Sequence, residues 1–151
     1  MPIKMGLPAP DFSLKDDEGR TRNLSEFKGT KFVLYFYPKD DTPGCTTEAC
    51  NFRDDYNAYV DAGITILGVS PDSVKSHQNF REKFNLPFSL LADEDHKVAE
   101  AFGVWGKKKF MGKEYMGVLR TTFIVDENGR IAHAFEDVKP ADHSKEILSL
   151  L

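Results

Sequence analysis

The stretch FVLYFYPKDDTPGCTTEAC, residues 32–50, decides how the chain folds. Residues 32–37 form an unbroken apolar and aromatic run of strand length, as expected for a strand covered on both faces of a mostly parallel sheet. From Pro43 the rhythm changes: Ala49, Phe52, Tyr56, Tyr59 and Val60 recur at helical spacing, and the run stops at Ala62-Gly63. A central strand therefore passes through a short polar turn into a helix. Thr42-Pro43-Gly44-Cys45 sits on that junction.

Toward the N-terminus, residues 11–14 and 21–24 flank the turn Asp16-Asp17-Glu18-Gly19 and read as a small hairpin, after an extended start punctuated by Pro8 and Pro10. Toward the C-terminus, residues 64–69 read as a second buried strand and 73–84 as a helix. Residues 88–91 read as a short strand, and 95–102 as a helix opened by carboxylates. Residues 103–117, with four glycines, Trp105 and the run Lys107-Lys108-Lys109, break the alternation and read as a long surface loop. Residues 119–125 and 131–135 flank Asp126-Glu127-Asn128-Gly129, with the Asn-Gly hairpin signal, and 142–151 close as a helix. No repeat or low-complexity linker divides the chain, so residues 1–151 are expected to form one domain. The order describes an α/β sandwich of thioredoxin type: a central mixed β-sheet flanked by helices, with an N-terminal β-hairpin extension.

The 151 residues are 40% hydrophobic and 29% charged with a net charge of -4, a balance that argues against general nucleic-acid binding. MPIKMGLPAP has no signal-peptide core, and no run approaches the roughly 18 apolar residues of a membrane helix, so a cytoplasmic protein with no membrane contact is expected. There are two cysteines, Cys45 and Cys50. In a reducing compartment such thiols are catalytic, redox-sensing or simply buried. Zinc is disfavoured, because His77, His96, His133 and His143 are scattered and supply no paired spacing of structural-site type; no metal or cofactor is expected. Asp93-Glu94-Asp95 reads as the opening of a helix and the three lysines as solvated. Trp105, Phe110, Met111 and Met116 read as packing of the loop, with a substrate rim, a reductant docking surface or a weak dimer contact as alternatives.

The junction has its own chemistry. Threonine suits an N-cap and proline the first helical position, which puts Cys45 in the first turn, near the positive end of the helix. A thiol of pKa about 8.5 is only about 3% thiolate at pH 7, whereas one lowered to about 6 is about 90% thiolate. That gain is roughly thirtyfold, against enzymatic accelerations that start near a millionfold, so further donors must act on the transition state. Candidates are the hydroxyl of Thr42 and the amides of Gly44 and Cys45, since the first N–H groups of a helix lack intrahelical partners. Gly44 leaves the approach uncrowded, and Pro38 offers a rigid wall against water.

Pro38-x-x-x-Thr42-x-x-Cys45 resembles the signature of the peroxiredoxins, and PGCTTEAC is similar to their bacterioferritin comigratory protein (peroxiredoxin Q) subfamily. APDFSL, ILGVSPDSV, LLADEDHKVAEAFGVWG and LRTTFIVDENGRI resemble that subfamily in the same order, across nearly the whole chain. The resemblance implies a thiol-dependent peroxidase that reduces hydrogen peroxide and organic hydroperoxides. It implies Cys45 as the peroxidatic cysteine, Thr42 and Pro38 as its pocket, Arg120 as the pocket's arginine and Glu48 as the carboxylate that orients it. It further implies a Cys45 sulfenic acid resolved by Cys50 as an intramolecular disulfide, recycled by thioredoxin or a glutaredoxin-like dithiol protein, in a monomer.

In an intact helix, residues five apart place their Cα atoms about 8.7 Å from each other. A disulfide usually needs less than about 7 Å. If Cys50 resolves Cys45, the first turns of the helix must unwind in every cycle. Two other classes compete: a thiol-disulfide oxidoreductase on the same fold, which lacks its usual Cys-x-x-Cys here, and a non-enzymatic zinc module or chaperone.

Overall fold

A computed structural model describes residues 2–150. In chain order, β1 (Ser13–Asp16), β2 (Thr21–Asn23) and a 3₁₀ turn (Leu24–Phe27) lead into β3 (Lys31–Phe36), α1 (Pro43–Asp54), α2 (Tyr56–Asp61) and β4 (Ile64–Ser70). Then come α3 (Val74–Phe84), β5 (Ser89–Ala92), α4 (Lys97–Ala101), β6 (Trp105–Phe110), β7 (Lys113–Val118), β8 (Thr121–Val125), β9 (Ile131–Phe135) and α5 (His143–Leu148).

Seven strands form one mixed sheet in the order β2-β1-β5-β4-β3-β8-β9. The β3, β4 and β5 strands run parallel, and β8 lies antiparallel to β3. The continuous apolar run of β3 has a simple cause, because its alternate side chains enter different cores. Phe32, Leu34 and Phe36 pack with Phe102 and Phe123 on one face; Val33, Tyr35 and Tyr37 pack with Phe52, Tyr59, Phe80 and Ile147 on the other. Helices α1, α2, α3 and α5 therefore cover the second face, which is the face that buries Cys45. Gly68 makes room there: a β-carbon on it would lie 2.9 Å from both Tyr35 Cζ and Leu90 Cδ2. That space lets the Tyr35 ring pack at 4.8 Å on Phe52, anchoring α1 on β3.

The N-terminal hairpin forms as expected and joins the sheet, with β1 antiparallel to β5. Asp93 explains the opening of α4: it is buried, and its two oxygens accept the amides of Val98 and Ala99 at 3.1 and 2.9 Å. Three expectations need correction. The helical run after Pro43 is two helices, broken at Asp55, whose φ of -94° and ψ of 7° leave the α region. Residues 103–117 are not a loop but mostly the antiparallel hairpin β6–β7, registered from Trp105↔Val118 to Phe110↔Lys113. Its turn residues Met111 and Gly112 both have positive φ, 52° and 80°, the conformation an Asn-Gly pair usually signals. Of the residues read as packing that segment, only Trp105 packs, flat on His96 at 3.8 Å; Phe110, Met111 and Met116 are exposed. Among the described residues, no helix is long and apolar enough to cross a membrane.

Candidate active site

The site forms where β3 hands over to α1 and where the chain enters β8. Thr42 occupies the N-cap position and Pro43 the first helical one, so Cys45 falls in the first turn of α1. The first amide to reach back along the helix is that of Thr46, which donates to the Thr42 carbonyl at 2.8 Å. The amides of Gly44 and Cys45 have no acceptor within the helix. The Thr42 side chain does not cap α1: its hydroxyl donates to the Lys39 carbonyl at 2.9 Å. With its hydrogen committed, that oxygen can offer only lone pairs to a ligand, which suits the O–H of a hydroperoxide. Pro38 is half-buried at the exit of β3.

Arg120, just before β8, closes the site. Its Nη2 donates to Cys45 Sγ at 3.3 Å and its Nη1 to Glu48 Oε1 at 2.8 Å. One planar guanidinium thus bridges two side chains of the same helix turn. Gly44 permits the approach, since a β-carbon there would lie 3.3 Å from Arg120 Nη2 and 3.4 Å from Pro140 Cγ. Cys45 and Glu48 are each 1% exposed.

Electrostatics in this enclosure are dominated by burial. Desolvation pushes the Glu48 carboxyl up to about 7, although Arg120 pulls it back. Arg120, despite its own burial, is pushed up by Glu48 and Cys45. Both shifts describe one pair. Ionisation of each partner favours the other, but a single guanidinium does not repay the water lost by so deeply buried a carboxylate. Lys108 of β6 adds a second cation: its ammonium donates to the Val118 carbonyl at 2.9 Å, and burial and the charge of Arg120 push its pKa down while Cys45 pulls it up. Lys107 and Lys109 are exposed or nearly so, as a solvated run should be; Lys108 is not. Cys50 is half-buried further along α1, and its thiol is pushed up by burial, which the nearby Arg53 partly offsets. Both thiols are free, and α1 runs unbroken through them, so the helix spacing of about 8.7 Å between their Cα atoms holds.

Arg120 is thus in direct contact with both Cys45 and Glu48, with Thr42 at the helix start and Cys50 apart. Sequence reasoning passed over Lys108, whose run of three lysines hides the one pointing inward. It also passed over a buried set behind the site, Tyr37, Asp40 and His77, because Asp40 and His77 lie 37 residues apart and no short motif joins them.

The profile of the AhpC/TSA family matches residues 5–134. Peroxiredoxin Bcp of Bacillus subtilis (strain 168) is 54% identical over 151 residues, covering 100% of this chain and 96% of the relative. Peroxiredoxin Bcp of Escherichia coli (strain K12) is 47% identical over 150 residues, covering 99% of this chain and 96% of the relative. Among solved structures, Xanthomonas campestris peroxiredoxin Q superposes with a TM-score of 0.90 at 39% identity, covering 97% of this chain and 95% of that one. The chain therefore belongs to the AhpC/TSA family, among its peroxiredoxins of the Bcp and Q type, and is a thiol-dependent peroxidase that consumes a peroxide and a thiol reductant.

Proposed function

We propose that Cys45 is the peroxidatic residue, that Cys50 resolves it, and that Arg120, Glu48, Thr42 and Pro38 build the pocket in which the O–O bond breaks. The observation that carries this reading is the Arg120 bridge, 3.3 Å to the Cys45 sulfur and 2.8 Å to Glu48. The Cys45 thiolate attacks one peroxide oxygen and the O–O bond breaks. The leaving oxygen departs with the bonding pair and takes up a proton to become water or an alcohol. Arg120 and the helix-start amides stabilise the charge that builds on that oxygen, and Thr42 accepts the hydroperoxide hydrogen. Cys45 is left as a sulfenic acid.

The Cys50 thiol then displaces the sulfenic hydroxyl, forming the Cys45–Cys50 disulfide and water. The spacing along α1 requires the first turns to unwind for that step. Oxidation itself assists: an uncharged sulfenic acid no longer attracts Arg120 as a thiolate does, and unwinding then separates Glu48 from Arg120. The exposed disulfide is reduced by thioredoxin, or by a glutaredoxin-like dithiol protein, through thiol-disulfide exchange. Support for hydroperoxides as substrates comes from the Xanthomonas campestris bacterioferritin comigratory protein, described for its alkyl peroxide reduction activity, with a TM-score of 0.90 at 38% identity. Residues 1–151 act as one domain and a monomer in a reducing cytoplasm.

The test is Cys50→Ser assayed two ways. One rapid turnover of peroxide should survive while thioredoxin-driven cycling is lost. Steady-state cycling at the original rate would refute the resolving role.

A further inference from the structure

Between the end of β3 and Thr42 the chain crosses a turn whose polar groups are held from outside, by β4 and α3. Asp40 and His77 are both buried, at 6% and 0% exposed. Asp40 Oδ1 accepts the Tyr37 hydroxyl at 2.6 Å, and Oδ2 accepts the Ser76 hydroxyl at 2.8 Å and lies 2.8 Å from His77 Nδ1. His77 Nε2 lies 2.9 Å from the Leu91 carbonyl oxygen. A carbonyl only accepts, so Nε2 carries a hydrogen; a carboxylate facing Nδ1 then requires a second hydrogen between those two atoms. The pair encloses a shared proton.

The backbone of Asp40 is tied as firmly as its side chain. Its amide donates to Asp72 Oδ2 at 2.8 Å, and that oxygen also accepts the Ser70 hydroxyl at 2.6 Å. Ligand atoms of Asp40, Asp72 and His77 lie within 4.8 Å of one another, but the carboxylate oxygens already accept from the hydroxyls of Tyr37, Ser70 and Ser76 and from the shared proton, which argues for an anchor rather than a cation site. The next residue, Asp41, has a φ of +56°, a left-handed conformation that persists only where its surroundings impose it. Thr42 then closes the turn on Lys39. Lys83, on α3, adds an ion pair to Asp41 at 2.8 Å.

We propose that Asp40 and His77 are positioning residues for peroxide reduction: their hydrogen-bonded pair anchors the turn at residues 38–42, and through it sets where Thr42 and the first turn of α1 hold Cys45 against Arg120. The pair touches no reacting atom, and its effect is geometric, because small misplacement of reacting groups carries large rate losses. The anchor also gives α1 a fixed edge, so that residues beyond Thr42 unwind while those before it stay in place. The proposal rests on Cys45 being the residue that peroxide oxidises.

The test is the second-order rate constant for oxidation of Cys45 by hydrogen peroxide, read in single turnover with peptide mapping, alongside thermal melting. His77→Gln keeps a donor toward Leu91 and loses the one toward Asp40; the expected rate falls at least tenfold. His77→Asn restores a donor in the Nδ1 position and recovers most of that loss. Tyr59→Phe, which breaks a buried hydrogen bond from α2 to the Ser144 carbonyl, lowers the melting temperature and keeps the original rate. The proposal is overturned if His77→Gln oxidises Cys45 at the original rate, if Asn does no better than Gln, or if Tyr59→Phe slows oxidation as much. Should His77→Gln fail to fold, Ser76→Ala removes one donor from Asp40 at a half-buried position. A severalfold slowing is then expected, and an unchanged rate overturns the anchor. A failure of the underlying reading looks different, since the unmodified protein itself would then leave Cys45 unoxidised.

Discussion

Replacing Glu48 with glutamine removes a titration that the fold imposes. Burial raises the carboxyl from an ordinary 4.5 to about 7, so the folded state binds that proton more tightly than the unfolded chain does. The sign follows: the stabilisation is fully present below about pH 4.5 and is lost as pH rises through about 7. At 1.36 kcal/mol per pH unit the swing is about 3 kcal/mol, and at 1% exposure little of it is screened by solvent. Glutamine keeps an oxygen to accept from Arg120 and does not titrate. Urea unfolding of both proteins at a series of pH values, taken as the difference between them, cancels the other ionisable groups. The original protein should lose about 3 kcal/mol relative to Glu48→Gln between pH 4.5 and 8. Parallel curves would refute the reasoning, and a difference of opposite slope would show that Arg120 holds Glu48 as a carboxylate throughout.

Arg120→Lys keeps a positive charge but cannot donate to Cys45 and Glu48 with one planar group. The rate of Cys45 oxidation, followed by stopped flow, should fall about 10²-fold or more, as when one transition-state donor is lost. Gly68→Ala places a β-carbon 2.9 Å from Tyr35 and Leu90 and should destabilise by about 1–3 kcal/mol in urea unfolding, with α1 loosened because Tyr35 is its seat.

The strand and helix that meet at Thr42 could be read from residues alone, because both signals are local: six consecutive apolar residues, then proline and glycine ahead of a helical period. The β6–β7 hairpin could not. Its strands are largely exposed and carry lysines where a half-buried strand would alternate, and its turn uses Met111-Gly112 in place of Asn-Gly. The break at Asp55 was hidden because Phe52 and Tyr59 face the same core from either side of it. At the site, Cys45 and Thr42 announce themselves through the helix start. Arg120 and Glu48 could not be picked out from the residues without the family resemblance, since 72 residues separate them and their contact is made by the sheet. Asp40 and His77 meet in the same way, through the parallel pairing of β3 with β4.

The measurement that bears most directly on the account is a peptide map of the reduced protein after one equivalent of hydroperoxide. The predicted product is a single cross-link between Cys45 and Cys50, with two hydrogens lost, and in Cys50→Ser a sulfenic acid confined to Cys45. Oxidation that spares Cys45 in either protein would contradict it.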